Sequence, residues 1–285
     1  MEDRRFRLRR MFRLYRLYAK MDLAWLLRDT KTCLLAVSAD FISNIAAVTG
    51  VFMLAWRFNG VGGMNRYEVL FMLGYVTAVT GLFQLFFANC NTGHISRRIG
   101  RGQLEHMLIQ PIPMPVQLLT EGFIPVSGSS NLVSSVIIIT VAVSNLKLQV
   151  NVLWVAMLIA SLIISLAIIL GLSYLFSSAA FYAPVQAEEI STYVIDQFTG
   201  ELGKYPLSGM APAIQAVLVT ILPAGLLGWF PSLALLDKTP LQLPSYYPLL
   251  VAAALFFVAT SLFRKGLIHY VKTGANRYSA VGHRR

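Results

Sequence analysis

The chain has 285 residues, 56% hydrophobic and 13% charged, with a formal net charge of +11 and a mean hydropathy of +0.63. A soluble domain of this length could not cover so much apolar side chain with polar surface, so the composition excludes that class and indicates an integral membrane protein. The positive charge does not indicate nucleic acid, because the basic residues lie outside the apolar runs, at the two ends and in one internal segment, as in flanks held beside anionic lipid.

Residues 1–32 form a basic amphipathic segment. Arg4, Arg5, Arg7, Arg9, Arg10, Arg13 and Arg16 interrupt Phe6, Leu8, Met11, Phe12, Leu14, Tyr15 and Leu17, so no apolar core of secretory type precedes a small-residue cleavage site. Read as a helix, Arg5–Lys20 is suited to the headgroup region. A mitochondrial transit peptide is the competing reading of an arginine-rich, acid-poor start. Cys33 and Cys90 imply neither a disulfide framework nor a metal site.

Six spans follow within residues 33–263, each long enough to cross about 30 Å of hydrocarbon at 1.5 Å per residue. The first runs from about Cys33 to Trp56, apolar apart from Asp40, Ser43 and Asn44, and Asn59-Gly60-Val61-Gly62-Gly63 then makes a turn. The second runs from about Tyr67 to Ala88. Between it and the third lies His94–Pro115, where Leu104, Leu108 and Ile109 recur at helical spacing and Pro111, Pro113 and Pro115 stop any helix. This predicts one short amphipathic helix at the membrane surface, where a partner touches the protein.

The third span, from about Leu118 to Ser144, is broken near its start by Gly122, Pro125 and Gly128. Such breaks are tolerated where neighbouring protein or water satisfies the freed backbone, so this part of the span is expected to face protein or a cavity. The fourth runs from about Val152 to Ala180. Residues 182–206 carry Glu188, Glu189, Asp196, Glu201 and Lys204, a polarity that reads as a cytoplasmic helix and loop. The fifth span runs from about Pro212 to Leu236. Its Pro223, Gly225, Gly228 and Pro231 predict a helix to about Leu222 and then a bent or re-entrant piece. The sixth runs from about Tyr246 to Phe263, followed by a basic tail at 264–285. Counting Lys and Arg beside the short loops places both termini and His94–Pro115 in the cytoplasm.

Candidate chemistry is sparse. Gly200-Glu-Leu-Gly203-Lys204-Tyr205 lacks the spacing and hydroxyl residue of a phosphate-binding loop, so the chain is not expected to hydrolyse ATP by itself. His94, His106, His269 and His283 have no paired-ligand spacing, so no metal is expected. Asp40 and Glu121 are the acids well inside apolar runs. Each is either hydrated or paired near the interface, or, for Asp40, lines a substrate path at a subunit interface. Trp229 and Phe230 read as part of an interfacial aromatic belt or as an outer gate. A stand-alone carrier driven by an ion gradient is the alternative to a subunit of a larger transporter, but scarce buried charge and the lack of an evident repeat tell against it. A membrane enzyme acting on lipid would need a cluster of His, Asp or Ser at one face.

Ile99-Gly-Arg-Gly102-Gln-Leu104-Glu105-His-Met-Leu108-Ile-Gln110-Pro111 resembles the "I-x-x-G-x-L-D-x-x-L-x-R-P" stretch of permeases in the ABC-2 class of ATP-binding-cassette transporters. Lys204-Tyr205-Pro206-Leu207, Leu222-Pro223-Ala224 and Phe230-Pro231-Ser232 look like the corresponding segments of one bacterial subgroup. Phe263-Arg264-Lys265-Gly266-Leu267-Ile268-His269-Tyr270 resembles its closing "W-R-R-G-L-R-R-Y" tail. Glu105 stands where that pattern has Asp, and Gln110 where it has Arg, which removes a bidentate cation.

The resemblance implies an all-α, six-helix permease in the bacterial inner membrane, multi-pass with cytoplasmic termini. It also implies a second permease, identical or different with the subgroup favouring a different chain, and separate ATPase subunits that bind ATP and magnesium, this chain holding no cofactor itself. Residues 94–115 would then be the coupling segment seated on the ATPase, with Leu104, Glu105, Leu108 and Ile109 in contact. Arg97, Arg98 and Arg101 would meet either acidic ATPase residues or anionic headgroups.

Overall fold

The computed structural model describes residues 2–88, 95–100, 102–112, 114–120, 122–126, 128–200, 202–238, 241 and 243–273. It is built of helices: α1 (Glu2–Arg28), α2 (Thr30–Arg57), α3 (Arg66–Phe83) with a π-helical extension Gln84–Ala88, α4 (Ile95–Gly100), α5 (Leu104–Leu108), α6 (Met114–Thr120) and α7 (Ser129–Leu146). There follow α8 (Val152–Ser177), a 3₁₀ turn Ser178–Phe181, α9 (Pro184–Gly200), α10 (Pro212–Thr220), a 3₁₀ turn Pro223–Leu226, α11 (Trp229–Leu235) and α12 (Tyr247–Thr273). Among the described residues there is no strand, only an isolated bridge between Val61 and Met64.

Five of these helices are long and apolar enough to cross a membrane: Thr30–Arg57, Arg66–Phe87, Ser129–Leu146, Val152–Phe181 and Tyr247–Thr273. The protein is therefore an all-α, multi-pass membrane protein. The pair Pro212–Thr220 and Pro223–Leu235 also has the composition of a span but is bent by 71°.

Local chemistry sets the ends of these helices. Asn65 and Glu68 form a reciprocal capping box at the start of α3, with Asn65 Oδ1 accepting the Tyr67 and Glu68 N–H groups and Glu68 Oε2 accepting the Asn65 N–H. Asn151 caps α8 through the Trp154 N–H at 2.7 Å. The turn between α2 and α3 closes by mutual bonds between Val61 and Met64 at 3.0 and 3.1 Å.

The centre of the bundle is α3, whose candidate span is 72% buried. It lies antiparallel to α7, with backbones close together because Gly74 faces Ile138 and Ile139 and Gly81 faces Asn131 and Leu132. In contrast, only 6% of the corresponding window of α2 is buried within the chain. The bundle has a basic end, carrying α1, α4 and the last turns of α12, and a turn end, carrying the loops after α2, α7 and α11.

Two sequence expectations change. First, the single surface helix expected within 94–115 is two helices, α4 and α5, divided at Gly102, whose φ is +69°. Pro115 is the second residue of α6, a first-turn position where proline is tolerated, so it opens a helix rather than stopping one.

Second, the polar stretch 182–206 does not stay at one end. It begins at the basic end, where Ser191 meets Ser96, and the chain after α9 reaches the turn end, where Gly209 lies against Gly62. Its polarity is accommodated because Glu188 and Ser191 have partners on α4. The bent or re-entrant piece expected after Leu222 is present: 212–235 is a hairpin that returns to the turn end, where Lys238 pairs with Glu68 at 2.7 Å and Trp154 Nε1–H donates to the Leu235 carbonyl at 3.0 Å. The basic tail also differs in part, since α12 continues through Arg264 to Thr273.

A Cβ built on Gly74 would lie 2.8 Å from Ile139 Cγ1, whereas one on Gly50 meets nothing within 4 Å. Gly74→Leu is therefore expected to destabilise the protein by about 1–3 kcal/mol through overpacking, with Gly50→Leu much milder in the isolated chain. Thermal unfolding of the detergent-purified variants checks this, and equal midpoints would refute the close α3–α7 packing.

Candidate functional site

The segment expected to meet a partner divides by burial. Leu104 is 0% exposed and packs with Ile95, Ile99, Met107, Leu118, Phe181 and Tyr270, whereas Leu108 is 43% exposed and Ile109 80%. The face expected to hold all three leucine and isoleucine side chains therefore points two ways. Leu104 and Met107, at i and i+3 on α5, turn into the protein, and Leu108–Ile109 turn outward. Glu105 is half-buried.

The arginines also separate. Arg97 is exposed and its Nε donates to Glu188 Oε1 at 2.7 Å, so it braces α4 against α9. Such a half-exposed pair is worth little as stability, but it fixes direction. Arg98 is half-buried and donates to Met107 Sδ at 3.5 Å. Arg101, His94 and Glu121 lie outside the described residues. Beside the Arg97–Glu188 pair, buried Ser96 donates to Ser191 Oγ at 2.8 Å, and Ser191 donates to the Glu188 carbonyl at 3.3 Å.

At its far end the α9 chain touches the bent hairpin. The Gly203 carbonyl and Val76 of α3 leave no room at Gly228: a Cβ there would overlap Val76 and lie 2.8 Å from the Gly203 oxygen. The hairpin tip carries a carbonyl, Leu226, without a helical partner. Ser165 Oγ–H donates to it at 3.0 Å and in turn accepts the Tyr75 hydroxyl at 3.0 Å. Ser165 stands 13 residues into α8, about 20 Å from its start at 1.5 Å per residue, so this relay lies deep in the bundle. An apolar environment makes such a relay valuable, since an orphaned carbonyl there costs several kcal/mol.

Trp229 and Phe230 are 2% and 1% exposed, with Trp229 Nε1–H donating to Ser208 Oγ at 2.7 Å and Phe230 against Tyr247. They are thus buried on the inner side of the hairpin rather than set in an exposed aromatic belt. Asp40 is exposed on α2, apart from this chain of contacts. The residues that join the elements, namely Tyr75, Ser165, Glu188 and Ser191, carry only a faint sequence signal: hydroxyls inside apolar runs, and an acid placed opposite an arginine after folding.

The amino-terminal helix closes the basic end. Asp22, 8% exposed, accepts the Val126 N–H at 2.6 Å, and the Ile124 N–H reaches the Leu85 carbonyl at 2.9 Å. The break before α7 is thereby satisfied by protein, as its composition led one to expect. Tyr15 packs edge-on to Phe123 and Phe86, and this burial pushes its phenol above the usual value. Arg10 donates to the Pro111 carbonyl at 3.3 Å, joining α1 to the segment after α5.

Ser165→Val would strand both the Leu226 carbonyl and the Tyr75 hydroxyl, and is expected to cost about 1–3 kcal/mol. Tyr75→Phe leaves the Ser165–Leu226 bond in place and should cost less. Hydrogen exchange of residues 222–235 reads the difference, and equal protection in both variants would sink the relay.

A family model described as ABC-2 family transporter protein matches residues 41–274. No curated protein and no solved structure matches the chain at a significant level.

Proposed function

Because the chain belongs to the ABC-2 family of transporter proteins, we propose that it is the permease subunit of an ATP-driven exporter in the bacterial cell membrane. It works beside a second, different permease and separate ATPase subunits that bind ATP and magnesium. The observation that carries this reading is a series of contacts among the described residues. It starts at the outward-facing Leu108 and Ile109, passes through α4 by Arg97–Glu188 and Ser96–Ser191 into α9, and ends where Gly203 meets the hairpin at Gly228.

In this mechanism ATP binding closes the ATPase pair, which pushes on α4–α5. Short, cross-braced helices move as a rigid body rather than bending. The push reaches the hairpin through α9, and the hairpin shifts against Tyr75 and Ser165 to open or close the pathway. The arginines and both termini face the cytoplasm, in keeping with retention of Lys and Arg on that side. Residues 184–209 then form the fifth crossing, and 212–235 is a re-entrant hairpin entered from outside. The bare face of α2, with Asp40 on it, is covered by the second permease, since an ionisable group inside a membrane is otherwise costly.

Leu108→Asp with Ile109→Asp should weaken retention of the ATPase on the tagged permease by about tenfold or more while leaving the fold intact, because both side chains are exposed. Pull-down undiminished in that variant, or transport by the purified chain without ATP that Asp40→Asn abolishes, would favour a stand-alone carrier. Topology has its own check. Met210→Cys, in a background with Cys33 and Cys90 replaced by alanine, should react with a membrane-impermeant thiol reagent added to intact cells. Protection from outside and labelling only after permeabilisation would reject α9 as the fifth crossing.

A further inference from the structure

We propose that the crevice between α6, α8 and α12 binds an anionic phospholipid, one acyl chain filling the crevice and the phosphate resting on Arg264. This goes beyond the exporter reading and does not depend on which subunits the chain joins. The crevice holds about 440 Å³ and is lined in part by Met114, Leu118, Tyr174, Phe256 and Leu267. Phe263 stiffens its wall, packed edge-on to Tyr174 at 5.4 Å and to Phe181 at 5.1 Å.

The chemistry inside is apolar. Thr260 lines the crevice, but its hydroxyl hydrogen is taken by the Phe256 carbonyl at 2.6 Å and is not available to donate to a ligand. The lining also carries a cation: Arg264 is exposed. It stands 17 residues into α12, about 25 Å from the turn end, which puts it near the boundary of a hydrocarbon layer about 30 Å thick. An apolar slot and an exposed guanidinium at headgroup level match a single amphiphile, with bidentate bonds from the guanidinium to a phosphate. A partner helix of apolar surface would leave that charge without a counter-ion. The bound chain would touch α6 and α12 together, so its occupancy bears on the helix that follows the segment 94–112.

The test uses the full-length protein in nanodiscs of phosphatidylcholine doped with a minor fraction of phosphatidylglycerol carrying a photoreactive group in its acyl chain. A parallel set carries the same group on phosphatidylcholine. The phosphatidylglycerol probe should label the peptide containing residues 256–267 about fivefold more than the phosphatidylcholine probe, the ratio that one well-placed cation supplies. Arg264→Gln should remove that excess and Arg264→Lys should keep most of it. Thr260→Trp, at an exposed position on the crevice wall, should lower labelling by both probes. Equal labelling by the two probes, labelling unchanged in Arg264→Gln, or capture of a second protein chain at these residues would each overturn the assignment.

Discussion

Hydrocarbon offers no hydrogen bonds, so every backbone group at membrane depth must find its partner within the protein. This fold depends on how that requirement is met at two places where the helical ladder stops. At the break before α7, the Asp22 carboxylate takes the Val126 N–H and the Leu85 carbonyl takes the Ile124 N–H. At the tip of the 212–235 hairpin, Ser165 and Tyr75 serve the Leu226 carbonyl. In both cases irregular backbone is bought with side chains from distant segments, which ties those segments to the broken element.

The same ties give the molecule directions in which a movement can travel. Helix α3 sits at the centre and is packed by α7 along its length, so it acts as a fixed post. Around it, α9 is fastened to α4 by contacts that include the Arg97–Glu188 ion pair and the Ser96–Ser191 hydroxyl pair, and the chain beyond it touches the hairpin where glycine allows backbone contact. Directional polar fastenings between packed helices favour discrete arrangements over continuous sliding, which is what a switching element needs.

Much of this was legible in the sequence. Runs of apolar residues located the spans from Cys33, Tyr67, Val152 and Tyr246, because membrane thickness sets a length that composition alone reveals. The break at Gly122, Pro125 and Gly128, and the bend at Pro223 to Pro231, were readable because glycine and proline act locally. What could not be read was pairing. The 182–206 stretch looked too polar to run the length of the bundle, since its partners Arg97 and Ser96 lie about ninety residues away in sequence. Leu104 looked like a contact residue for the same reason: helical spacing shows that a face is apolar, not which body it packs against. Residues 94, 101 and 121 lie outside the described structure, so the expectations placed on them stand as sequence inferences.

The bond between Asp22 and Val126 spans 104 residues. It also has an order in time. A ribosome makes Asp22 long before Val126, so the carboxylate is already waiting at the membrane surface when the broken start of α7 arrives there. The latest part of the third span to become stable in lipid is thus met by one of the earliest parts of the chain. The start of α7 thus depends on the amino-terminal helix for a backbone partner, so α1 is part of the finished bundle's hydrogen bonding as well as its cover.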